Sequence, residues 1–139
     1  MPLRIVASDR GLRRLEWEDG EPLGPRALVE ETRKQLAEYF AGRRHAFELP
    51  LDLAGTEFQQ RAWRALLEIP YGETRTYAEQ AQRLGLPHGA RAVGSANARN
   101  PIPIVIPCHR LVGSTGTLTG YAGGLEVKAQ LLRLEGALS

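Results

Sequence analysis

The chain has 139 residues, 42% of them apolar and 24% charged, and a formal net charge of +2. That is the size and composition of a soluble globular protein of one domain, or of one domain and a small appendage. No apolar run approaches the about 18 residues needed to cross a bilayer, and the N-terminus "MPLRIVASDRG" lacks the basic stretch and apolar core of a secretory leader.

A single cysteine, Cys108, excludes an internal disulfide and a cysteine-rich zinc site. The three histidines, His45, His88 and His109, lack metal-ligand spacing. The expectations are therefore no metal, no cofactor, no membrane association and a reducing cytoplasm. Charge is unevenly spread. Residues 1–60 carry nine Arg/Lys against eleven Asp/Glu, whereas residues 61–110 carry seven Arg against three Glu. A basic middle is compatible with nucleic acid, as it is with a solvated surface.

In chain order, "LRIVASDRGLRRLEWED" predicts a β-hairpin turning at Asp9–Gly11, with its second strand through Leu12, Leu15 and Trp17. "PRALVEETRKQLAEYFAG" predicts a helix with Leu28, Thr32, Leu36 and Phe40 on one face and Gly42 as its stop. "RRHAFELPLDLAG" is a linker with one extended piece, and a domain boundary falls near Leu53–Gly55. Next, Thr56 and Gln59 form a capping box. The helix they open turns Phe58, Ala62, Ala65, Leu66 and Ile69 inward and ends at Pro70.

A second capping box, Thr76 with Glu79, opens a short helix over Tyr77–Leu84 that stops at Gly85. After a tight turn a third helix covers His88–Ala98. Two short helices across such a turn predict a helix-turn-helix, or any pair of packed core helices. In the third helix Gly89, Ala90, Ala92, Gly94, Ser95 and Ala96 are small, and Arg91 stands among them. Glycine costs about 1 kcal/mol in a helix interior. Close approach of another surface would offset that cost, and a DNA groove or a neighbouring helix would serve equally. "RLVGSTGTLTGYAGG" reads as a hairpin or loop around Gly113–Gly116 and a turn at Gly120–Gly124. A last helix, "LEVKAQLLRLE", is stopped by Gly136.

Cys108 lies in "NPIPIVIPCHRLVG". Taken alone it is a buried hydrophobe or a nucleophile. Thiolate formation is promoted by a neighbouring base, and His109 follows directly. Adjacent side chains on an extended chain point opposite ways, so a water or a turn would have to connect them. Pro101, Pro103 and Pro107 remove three backbone donors, which fits a fixed loop better than a central strand.

"NPIPIVIPCHRLVG" resembles the signature of the O6-alkylguanine-DNA alkyltransferases. "IPYGETRTYAEQA", "GARAVGSANARNPIP" and "TGYAGGLEVKAQLLRLEG" resemble the same family in the same order and spacing, from about Thr56 to Gly136. The resemblance implies a small α/β N-terminal subdomain with a short, truncated sheet (1–53). It implies a mostly α, winged-helix-like C-terminal domain carrying the helix-turn-helix (54–139). It implies a DNA repair protein that flips O6-alkylguanine out of the duplex from the minor groove and moves the alkyl group, once, to its own cysteine. By motif match Cys108 is the acceptor. His109 and Glu135 form, through a water, the relay for the thiol proton. Asn100 braces the turn, and Tyr77 contacts the flipped nucleotide and its phosphate. Leu111, Tyr121, Ala122 and Gly123 belong to the base pocket. Arg91 fills the gap left in the duplex, and Ala90, Gly94 and Ser114 meet DNA.

The zinc ligands and the phosphotriester-repair domain of some relatives are absent, and a monomer is expected. The alternatives are an alkyltransferase-like protein that binds the lesion and signals to excision repair, and a helix-turn-helix regulator. The first lacks the cysteine that this chain has, and the second needs neither Cys, His and Glu nor a glycine-rich pocket. A cysteine hydrolase would need an oxyanion hole that nothing in the chain marks.

Overall fold

The protein is described by a computed structural model covering residues 2–139. These group into two compact units. One runs through Ala54 and takes in Pro101–Val105; the other comprises Gly55–Asn100 and Ile106–Ser139.

In the first unit, β1 (Arg4–Ser8) and β2 (Gly11–Glu16) pair antiparallel, with an irregularity between Val6 and Ala7. Ile5, Leu12 and Leu15 are buried, while Arg13 and Arg14 face solvent. The sheet is short: among the described residues it gains, beyond these two strands, only single parallel bridges, Val6 to Leu23 and Leu12 to Leu51. The second bridge is the extended piece expected in the linker. It explains Gly11, where a Cβ would sit 2.6 Å from the Pro50 carbonyl oxygen. The Leu12 N–H donates to that oxygen at 2.8 Å.

Helix α1 (Arg26–Phe40) buries Val29, Thr32, Gln35, Leu36 and Tyr39. The expected stripe of strict four-residue spacing drifts about 40° per step on a 3.6-residue turn. Its ends, Leu28 and Phe40, are accordingly only half-buried, and Val29 and Tyr39 replace them in the core. The buried Gln35 amide bonds both backbone groups of Glu48, at 3.1 and 2.9 Å. Pro101 also belongs to this unit, its carbonyl accepting from Leu15 N–H at 3.0 Å.

In the second unit, α2 (Glu57–Leu66) begins at the Thr56–Gln59 capping box. It stops short of Pro70, and turn hydrogen bonds carry the chain from Leu67 to Ile69. Ala62, Trp63 and Leu66 are its buried residues; Phe58 and Ala65 are only half-buried. Trp63, absent from the expected inner face, donates its indole N–H to the Ala96 carbonyl at 2.8 Å. A two-residue strand β3 (Arg75–Thr76) leads into α3 (Tyr77–Arg83), opened by the Thr76–Glu79 box. Gly85, at φ 77°, turns the chain out of α3 in the left-handed conformation that glycine tolerates best. Then α4 (Ala90–Ala98) packs on α2 and α3. Strand β4 (Leu111–Val112) pairs parallel with β3. The Gly113–Gly116 segment is a turn, not a hairpin. Finally α5 (Leu125–Leu134) runs from Gly124 to its cap at Glu135.

Candidate active site

Cys108, His109 and Arg110 form a single 3-10 turn, in keeping with the fixed loop expected from the prolines. All three are buried, His109 completely. Two asparagines hold this turn, Asn97 in the last turn of α4 and Asn100 just after the helix. Asn100 Nδ2 donates to the Ile106 carbonyl at 2.8 Å, and Asn97 Nδ2 to the Cys108 carbonyl at 3.3 Å. The small residues of α4 are thus followed by the side chains that shape the turn carrying the thiol.

His109 Nε2 lies 2.8 Å from Glu135 Oε2. A carboxylate only accepts, so Nε2 carries the proton and donates it. Nδ1 of the neutral ring then bears the lone pair. It is buried and has no hydrogen-bond partner among the described protein groups. Burial lowers the His109 pKa, and the Glu135 carboxylate opposes that shift only in part. The imidazole is therefore neutral near pH 7 and presents a bare basic nitrogen.

Glu135 is gripped from the other side. Arg110 Nε donates to Oε1 at 2.8 Å and Nη2 to Oε2 at 2.9 Å, while Nη1 donates to the Ile69 carbonyl at 2.7 Å. Arg110 is not among the residues expected from the sequence, although it directly follows His109 in "NPIPIVIPCHRLVG".

Burial pushes the Cys108 thiol up to about 11. A hydrogen bond from the Asn100 side chain, the positive charge of Lys128 and the Tyr121 side chain pull the other way. Lys128 is another residue not expected from the sequence. It is fully buried, and desolvation lowers its pKa to about 8 against the pull of Cys108. Its ammonium donates to the Thr119 carbonyl at 2.6 Å and lies 6.0 Å from the centre of the Tyr77 ring. Thr119 Oγ1 in turn bonds the Tyr77 hydroxyl at 3.3 Å. A signal for Lys128 existed: it falls on the apolar face of α5, in register with Leu131 and Leu132.

The remaining expected residues are spread over this unit. Tyr77 opens α3 and is half-buried; Tyr121 and Gly123 are half-buried and Ala122 is exposed. Arg91 projects from α4 into solvent, Ala90 and Gly94 are half-buried, and Ser114 is exposed in the loop after β4. Leu111 is wholly buried in β4.

Fold and site together define a class: a helix-turn-helix module built around a buried thiol, imidazole and carboxylate. Two family models cover the chain. The DNA binding domain of 6-O-methylguanine DNA methyltransferase matches residues 57–137, and the ribonuclease-like domain of the same enzyme matches residues 2–53. The chain belongs to the 6-O-methylguanine DNA methyltransferase family.

A methylated-DNA–protein-cysteine methyltransferase of Methanosarcina barkeri is 46% identical over 142 residues, spanning 96% of this chain and 90% of its own length. That of Mycobacterium leprae is 60% identical over 105 residues, 76% of this chain and 64% of the relative. The crystal structure of Mycobacterium tuberculosis OGT in complex with DNA matches with a TM-score of 0.83 at 43% identity, covering 99% of this chain and 94% of that one. The S. pombe Atl1 structure in complex with damaged DNA matches with a TM-score of 0.53 at 34% identity, covering 60% of this chain and 79% of that one.

Proposed function

We propose that this protein repairs DNA by taking the alkyl group from O6-alkylguanine onto its own Cys108, once per molecule, as a methylated-DNA–protein-cysteine methyltransferase. The observation that carries the reading is the chain's only thiol, placed next to a histidine whose Nε2 is committed to Glu135 and whose Nδ1 is left as a base. The relatives' names and the complex of one of them with DNA support it.

In this reading duplex DNA lies against α3 and α4, approached from the minor groove. Arg91 enters the stack when the damaged nucleotide turns out, a rearrangement costing a few kcal/mol. Ala90, Gly94 and Ser114 line the approach, and Tyr77 meets the flipped nucleotide. The loop of Tyr121, Ala122 and Gly123, with Leu111 behind it, borders the base. The thiol proton passes to His109 Nδ1 through a water. The sulfur lone pair forms the S–C bond, the C–O6 bond breaks, and its electrons leave on guanine, which is then protonated. No metal or cofactor enters this scheme, and it operates as a monomer in a reducing cytoplasm.

Intact-mass measurement after incubation with excess O6-methylguanine duplex tests the reading. One methylene unit should be added per chain, on the peptide containing Cys108, and the reaction should then stop, because a thioether is not readily reversed. Turnover beyond one equivalent would point to a true catalyst. Tight lesion binding with no mass change would favour damage signalling.

A further inference from the structure

We infer that Arg110 is a positioning residue that keeps the His109–Glu135 pair free of an extra proton, so that His109 can act as the base for Cys108. The inference rests on the proposed role of Cys108 and goes beyond it. Its basis is charge counting in a closed site. The charged groups acting on His109 are Arg110 on its own turn, Glu135 at the cap of α5 and Lys128 within α5, and Tyr71, from the turn after α2, packs on Arg110. The Tyr71 ring lies 5.8 Å from the Arg110 guanidinium, and its hydroxyl donates to the Leu134 carbonyl at 3.2 Å.

Glu135 is buried, so its carboxylate requires a compensating positive charge. Arg110 supplies one that is permanent and bidentate. With both carboxylate oxygens engaged by Arg110, the imidazole need only donate Nε2–H and remains neutral. Without the guanidinium, the nearest way to balance a buried carboxylate is a proton taken up by the His109–Glu135 pair, as imidazolium or as carboxylic acid. Either form removes the arrangement with a free lone pair at Nδ1. The third guanidinium contact, to the Ile69 carbonyl, fixes the fork so that it cannot follow a shifted carboxylate.

The test is the titration of the His109 ring followed by NMR in the protein without DNA, with His109→Gln used to assign the signal. It is paired with the pH dependence of Cys108 alkylation by free O6-alkylguanine. In Arg110→Met and in the neutral but hydrogen-bonding Arg110→Gln, the pair should titrate at least about one pH unit higher than in wild type. The acid limb of the rate profile should move by the same amount. Arg110→Lys should bring both back toward wild type. The double variant Arg110→Met with Glu135→Gln should return the ring to low-pH titration, because no carboxylate then needs balancing. Whichever neutral variant folds is sufficient: an unmoved ring titration in a folded variant overturns the inference. Since the titration is read without substrate, a failure of alkyl transfer itself would leave this result intact.

Discussion

At Cys108 burial and its neighbours act in opposite senses, and the balance sets how the residue can react. Desolvation holds the thiol protonated, with its pKa up to about 11, while Asn100, Lys128 and Tyr121 favour the thiolate. A thiol in that state needs a base at the moment of reaction. In the proposed scheme that base is His109, whose pKa burial keeps below the ordinary imidazole value. The rate with free O6-alkylguanine should therefore rise with pH on the acid side, as His109 loses its proton, and level off through neutrality. Lys128→Met removes a positive charge that favours the thiolate. Its plateau rate should drop roughly tenfold, the effect of about one pKa unit on the sulfur, while the acid limb moves little. Stopped-time alkylation assays from pH 5 to 9 measure both. An unchanged plateau in a folded variant would leave Lys128 only its hydrogen bond to Thr119.

At the level of elements, α4 separates two explanations of its small residues. Gly89 is not inside the helix; it precedes Ala90, and a Cβ there would meet the Leu86 side chain at 2.7 Å. Its size is explained by that contact. Gly94 is inside the helix, and a Cβ there would come no closer than 3.8 Å to the Tyr77 ring, an ordinary contact. Packing within the protein does not require this glycine. Gly94→Ala should therefore stabilise α4 by about 1 kcal/mol, seen as a melting temperature raised by roughly 2–4 °C. If the helix face is kept low for DNA, the same variant should bind duplex about tenfold more weakly, ~1.4 kcal/mol. Higher stability with unchanged duplex affinity would assign Gly94 no part in the interface.

For the whole molecule, the consequence of transfer is a larger group in a closed site. Cys108 is 5% exposed and its neighbours in sequence from Ile106 to Val112 are all buried. Adding a methyl group to a packed interior costs about 1–3 kcal/mol in forced rearrangement. The methylated protein should melt roughly 2–10 °C below the unreacted one, measurable by calorimetry on protein converted with one equivalent of substrate. Equal melting temperatures would mean that the pocket already holds room for the group.

Local chemistry was legible without any tertiary information. The Thr56–Gln59 and Thr76–Glu79 boxes, and the stops at Gly85 and Gly136, depend on hydrogen bonds and backbone angles within a few residues of each other. Each lies where the sequence places it. The ordered motifs from Thr56 to Gly136 also sufficed for the family. Packing decided the rest. Trp63 bonds a carbonyl 33 residues away, and Arg110 bonds a carboxylate 25 residues away; no local pattern encodes such distances. Likewise, Lys128 reads as a solvated charge until α5 is docked with that face inward, and the inner face of α1 is chosen by what it packs on rather than by a four-residue count. The sequence by itself determined which segments form helices and to which family the chain belongs. Only the tertiary structure determined the charge balance around His109, because it depends on which charges are buried together.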